Sequence, residues 1–72
     1  MKRGTLLYNV DIDMFDILFP DGSNWGGLEY TDTFEILRQG VWVSTRLRHN
    51  GYFPYLVSVG GNGVPLGASV RI

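Results

Sequence analysis

The sequence predicts a small all-β domain, and three observations carry that reading. Short runs rich in β-branched and aromatic residues alternate in polarity with period two. Turn-forming clusters punctuate them at Pro20-Asp21-Gly22, Gln39-Gly40, Asn50-Gly51 and Gly60-Gly61-Asn62-Gly63. No segment combines helical spacing with capping residues at both ends.

Taken in order, Thr5 to Val10 alternates Leu6, Tyr8 and Val10 against Leu7 and Asn9, a first strand, and Asn9 to Asp13 forms the turn after it. Met14 to Phe19 places Phe15, Ile17 and Phe19 on one face; Ile12, Phe15 and Phe19 also satisfy a helical spacing, so a helix competes with the second strand here. Ser23 to Tyr30 is irregular, and Gly26-Gly27 suggests a bulge or a close backbone approach. Thr33 to Arg38 is the next strand, and Gln39-Gly40 turns into the longest strand candidate, Gly40 to Gly51. On that stretch Val41, Val43, Thr45 and Leu47 share a core-facing side, while Trp42, Ser44, Arg46 and Arg48 share the other. Asn50-Gly51 is a type I′ hairpin signal that brings back Tyr52 to Val59, with Pro54 marking an edge or a bulge because it cannot donate to a ladder. A loop at Gly60 to Gly63 and a short strand at Ala68 to Ile72 complete the chain. About six short strands joined by tight turns make a meander that closes into an SH3-like barrel or packs as a compact sandwich.

Residues 1–72 form one domain. A chain this short buries only about 60% of its unfolded surface, and small scaffolds of this kind often lean on disulfides, metals or association. There is no Cys and a single His, His49, which leaves no disulfide, no thiolate metal site and no His-based metal cluster. Good packing or self-association remains, and a dimer is expected, with Leu7, Leu18, Leu37 and Leu56 as apolar residues opposite the predicted core. The net charge of −1 sets up no global field towards nucleic acid or membrane. The acids sit mainly between Asp11 and Glu35, whereas Arg38, Arg46, Arg48 and Arg71, four of the six Lys and Arg residues, lie in the second half. No run is long enough to span a membrane, and a cytoplasmic setting is the default expectation.

Most chemically suggestive patterns do not develop into sites. Asp11, Asp13 and Asp16 lack the spacing, Gly and terminal Glu of a calcium loop, and read as acidic turn residues in water. Gly60 to Gly63 has no following helix to make a phosphate cradle. Ser44 and Thr45 are near His49 in sequence, but strand alternation turns them apart and no orienting acid is placed. No catalytic residue, metal or cofactor is therefore assigned. Trp25 reads as core filling or a subunit contact.

The row Trp42, Arg46, Arg48 differs in kind, since guanidinium groups grip phosphates and an indole offers a stacking face; Tyr52 and Tyr55 across the hairpin extend it. The ordinary alternative packs Trp42 under a loop and pairs the arginines with Asp32 or Glu35 on a neighbouring strand.

A wider pattern joins these pieces. Gly4-Thr5-Leu6 with Tyr8, Asp21-Gly22-Ser23, Gly26-Gly27-Leu28, Phe34-Glu35 with Leu37, Gly40 with Trp42-Val43 and Thr45-Arg46, Tyr55-Leu56-Val57 and Val70-Arg71-Ile72 resemble, over nearly the whole chain, a family of small bacterial and mobile-element proteins known as a domain of unknown function. The chain departs from that pattern at Tyr52-Phe53-Pro54. The resemblance implies a compact β domain of prokaryotic or phage source, and no mechanism. The expected function is a non-enzymatic binding module, a phage or mobile-element accessory protein that self-associates and holds a phosphate-bearing ligand (a nucleotide signal or single-stranded nucleic acid) on Trp42, Arg46, Arg48, Tyr52 and Tyr55. The alternatives are an interaction module that blocks or tethers a host protein, and a small-ligand hydrolase.

Overall fold

Gln39 and Gly40 hold φ of 51° and 79°, both in the left-handed region, so they form the type I′ turn that matches the twist of the strands they join. Those strands are β3 (Phe34–Arg38) and β4 (Val41–Thr45), paired antiparallel with Arg38 opposite Val41 and Phe34 opposite Thr45. The computed structural model describes all 72 residues, and every regular element in it is a strand. β1 (Arg3–Asn9) and β2 (Met14–Leu18) form a second hairpin, with Leu6 opposite Ile17 and Tyr8 opposite Phe15. The segment from 14 to 18 is thus extended; Asp13, at φ 55°, completes the reversal before it.

The two hairpins are joined by the last strand. β7 (Ser69–Arg71) lies between β1 and β3, antiparallel to both, giving the sheet order β2-β1-β7-β3-β4. A sequential meander is therefore not what forms. The C-terminal residues zip into the middle, and Lys2 and Ile72 exchange both backbone hydrogen bonds, at 2.7 and 2.9 Å. The remaining strands, β5 (Leu47–His49) and β6 (Pro54–Leu56), make a separate two-stranded ribbon. The sheet has two ends, β2 and β4, so the architecture is a compact sandwich of sheet and ribbon rather than a closed barrel.

The core lies between them. Leu6, Ile17, Phe34, Ile36 and Val70 from the sheet meet Leu47 and Leu56 from the ribbon, with Phe19 and Leu28 closing the side. Gly4 is required by this packing: a Cβ there would come within 2.6 Å of both Ile17 Cγ2 and the Leu18 carbonyl.

Four expectations are corrected here. The stretch from Gly40 to Gly51 is not one strand; it breaks at Arg46, so β4 stays in the sheet while β5 folds over it. Val41 is 60% exposed, because it flanks the hairpin turn and extends past the core. Leu56, placed opposite the core by sequence, is buried within it. The Asn50-Gly51 pair is not a two-residue type I′ turn. His49 faces Pro54 across a four-residue loop in which Asn50 Oδ1 accepts from the N–H groups of Tyr52 and Phe53, an Asx turn that needs no positive φ at Asn50.

Candidate functional site

The ribbon is positioned by its inward face. Leu47 and Leu56 are register partners and both enter the core, so Arg48 and its partner Tyr55 share the ribbon's opposite face, each half-buried. Below them the corner after β4 is fixed by two bonds. Buried Thr45 donates Oγ1 to the Val57 carbonyl at 2.6 Å, and Val57 N–H donates to the Arg46 carbonyl at 3.1 Å. Arg46 therefore lies two residues before Arg48 on the same outward side, roughly 6.6 Å along an extended chain. Tyr52 stands at the loop tip, 91% exposed. No acidic residue follows Glu35 in the sequence, and neither Arg46 nor Arg48 is within 4.0 Å of a carboxylate.

Trp42 lies elsewhere. It projects from the outer face of the five-stranded sheet, where the Arg71 and Arg3 guanidinium groups stand 4.3 and 5.1 Å from its ring. Arg71 in turn donates Nε to Glu35 Oε1 at 2.5 Å, across the β3–β7 ladder. The structure thus divides the sequence-predicted row: Arg46, Arg48 and Tyr55 share the ribbon's outer face with Tyr52 beyond them, and Trp42 belongs to a different face with Arg3 and Arg71. The anticipated pairing of Arg46 or Arg48 with Glu35 or Asp32 does not form either. Arg71 takes Glu35, while Asp32 accepts from the Glu29 amide at 2.8 Å and from Trp25 Nε1 at 3.4 Å.

The three aspartates at 11, 13 and 16 separate by role. Asp13 accepts a hydrogen bond from the Tyr8 hydroxyl, and that bond holds the phenol above its ordinary value of 10.0. Asp16 is fully buried, which corrects its reading as a solvated turn residue. Residues 23–28 run beside β2: Trp25 N–H donates to the Ile17 carbonyl and Leu28 N–H to the Phe15 carbonyl. Three steps on one side match two on the other, so Gly26-Gly27 is a bulge, as its sequence suggests. The amides that the bulge leaves over, Gly26 and Gly27, both donate to Asp16 Oδ1 at 2.9 Å; Ile17 N–H and Asn9 Nδ2 supply two more bonds at 2.8 and 3.0 Å. Burial alone would raise this carboxyl, but the four donors outweigh it and hold it below its ordinary 3.8. The signal for this role was present: an acid between Phe15 and Ile17, with two glycines ten residues on.

Sequence reasoning also missed a groove of about 540 Å³ between the β1–β2 hairpin and the ribbon, lined by Tyr8, Phe15, Leu28, Tyr30, Leu47 and Pro54 among others. Its charged lining residues, Asp13 and Glu29, are both acidic. Nothing in the one-dimensional pattern brings Tyr30 to Pro54. No His, Cys, Asp or Glu side chains gather in a group of three able to hold a metal. His49 Nδ1 accepts from the Gly51 amide at 3.0 Å, away from the buried Thr45 hydroxyl.

Residues 4–72 match the model of the family described as a domain of unknown function, DUF5348. The chain is also similar to a protein from Ruminococcus gnavus whose crystal structure was solved by a structural genomics consortium: 36% identity over 99% of this chain and 100% of that one, with a TM-score of 0.79. No functionally curated protein matches the chain. The chain belongs to the DUF5348 family.

Proposed function

We propose that this DUF5348 domain is a non-enzymatic binding module that holds a phosphate-bearing, base-containing ligand on the outer face of its ribbon. One observation carries the reading: Arg48 and Tyr55 are paired in register on the ribbon face opposite the core, half-buried, with exposed Arg46 adjacent and no carboxylate neutralising either arginine. Two guanidinium groups at that spacing suit successive phosphates, and a tyrosine beside them offers a face for a base. Tyr52 at the loop tip extends the stacking surface. Trp42 is left out of the platform, since it lies on the five-stranded sheet with Arg3 and Arg71 against its ring. The bacterial relative fits an accessory protein of bacteria or their mobile elements.

The test is fluorescence anisotropy with a labelled single-stranded oligonucleotide and with free nucleotides, titrated with salt. Two phosphate contacts on a single strand give a slope of about −1.4 in log K against log salt. Replacing Arg46 and Arg48 together with Ala removes binding. Binding that is insensitive to salt, or that survives the double replacement, defeats the proposal.

A second reading has its own observation. The apolar groove beside Tyr8 and Tyr30, with acidic residues at its rim, suits a basic, proline-containing peptide segment, as aromatic-lined grooves do in peptide-binding modules. Substitution of Tyr30 affects that activity and leaves oligonucleotide binding intact, which separates the two.

A further inference from the structure

The two edges of the five-stranded sheet are treated differently by the chain. At β2 the edge is covered by residues 23–28, through Trp25, Leu28 and the Leu18–Asn24 bridge. At β4 no backbone hydrogen bond covers it, and only the Thr45 hydroxyl at its end is taken, by the Val57 carbonyl. Val41 to Thr45 pair with β3 alone, and none of their backbone groups bonds to any segment on the other side.

The turn chemistry tells which groups are open. A two-residue type I′ turn makes its flanking residues, Arg38 and Val41, a hydrogen-bonded pair. By alternation Val41, Val43 and Thr45 direct their N–H and C=O groups to β3, and Trp42 and Ser44 direct theirs outward. The open edge therefore presents four backbone groups on two residues. It carries none of the usual guards, because Val41-Trp42-Val43-Ser44-Thr45 contains no Lys, no Pro and no bulge.

We infer that β4 pairs antiparallel with β4 of a second copy across a two-fold axis at Val43, making one continuous ten-stranded sheet. This register answers every open group: Trp42 and Ser44 of one copy exchange both backbone bonds with Ser44 and Trp42 of the other. The side chains agree with it. Val43 faces its own copy as a β-branched pair, and Trp42 faces the small, exposed Ser44, which leaves the indole room beside Arg71. What points to a second copy rather than to an unrelated segment is the Val43 self-pair and the match of large Trp42 with small, exposed Ser44 in that register. The inference is independent of the ribbon site, which lies on β5 and β6.

Light scattering over a dilution series, with residue-resolved amide exchange on the same samples, tests it. At high concentration the mass is twice the 8.1 kDa chain, and the Trp42 and Ser44 amides exchange about tenfold or more slower than in dilute samples, while Val43 and Thr45, already bonded to β3, change little. Ser44→Pro removes an outward N–H without touching the β3 ladder, and the variant is a folded monomer. A monomer at all concentrations overturns the inference. So does a dimer in which Trp42 and Ser44 remain unprotected, or a folded Ser44→Pro variant that still dimerises. If that variant does not fold, the exchange pattern of the unmodified protein decides by itself.

Discussion

At one edge of the sheet a buried carboxylate is met by four donors; on the ribbon exposed Arg46 and half-buried Arg48 have no carboxylate within 4.0 Å. Both regions carry charge on a strand, yet they do different work. Asp16 is fully enclosed and fully hydrogen-bonded, so its charge stabilises an edge of the fold by satisfying a bulge that would otherwise leave backbone amides unpaired. Arg46 and Arg48 have no carboxylate partner of this kind within the chain. The Arg3–Trp42–Arg71 group falls on the side of Asp16: its aromatic face is occupied and one arginine is committed to Glu35. Composition alone would rank the two arginine–aromatic groups equally. What distinguishes them is whether each polar group already has a partner within the chain.

The comparison is tested most severely at Asp16. Replacing it with Ala orphans the buried Gly27 and Ile17 amides at about 1–3 kcal/mol each, so a loss of roughly 3–5 kcal/mol is expected in urea denaturation. A loss under about 1 kcal/mol shows that water or a repacked bulge satisfies those amides equally well.

Acid separates the two regions next. Because the folded carboxyl lies below its ordinary 3.8, Asp16 contributes its stabilisation in full above that pH and loses it as the pH falls below, through the folded-state value. Denaturation midpoints therefore drop below pH 3.8, and Asp16→Asn flattens that part of the profile, whereas the Arg46 and Arg48 double replacement leaves its shape unchanged. An Asp16→Asn variant with an unaltered acid limb contradicts the assignment.

Trp42→Ala is expected to cost about 2 kcal/mol, near half of what a fully buried indole costs, with oligonucleotide affinity retained. Loss of affinity without loss of stability would move Trp42 to the ligand-binding class. The smallest effect on the fold belongs to the double replacement of Arg46 and Arg48 with Ala: about 1 kcal/mol or less in stability, alongside the largest effect on ligand affinity.

What was legible in the sequence, and what was not, follows the range of the forces involved. Strands read at 5–10, 14–19, 33–38 and 68–72 correspond to those formed at 3–9, 14–18, 34–38 and 69–71, and the turn at Gln39-Gly40 and the irregularity at Gly26-Gly27 are likewise readable locally. Period-two alternation selects extended backbone, and glycine accepts the φ that a turn or bulge demands. The family resemblance was legible for a similar reason, since it rests on those same punctuating residues. Asn50-Gly51 shows the limit of local reading: the dipeptide suits a type I′ turn, but Pro54 cannot pair as a donor and the Asn50 side chain satisfies a longer loop.

Only the tertiary structure decided which strands meet. Inserting β7 between β1 and β3 closes the chain's two ends on each other, a pairing of residues nearly the whole sequence apart that no local pattern encodes. The break at Arg46 depends on Leu47 and Leu56 finding the same core as Leu6 and Val70. That one bend sends Trp42 and Arg48 to different faces, although alternation along the strand had set them on one. It also left the outer backbone groups of β4 unbonded while residues 23–28 bonded to β2. Alternation says which side of a strand a residue takes; the cooperative burial of distant apolar groups decides where that side points and which charges remain for a partner.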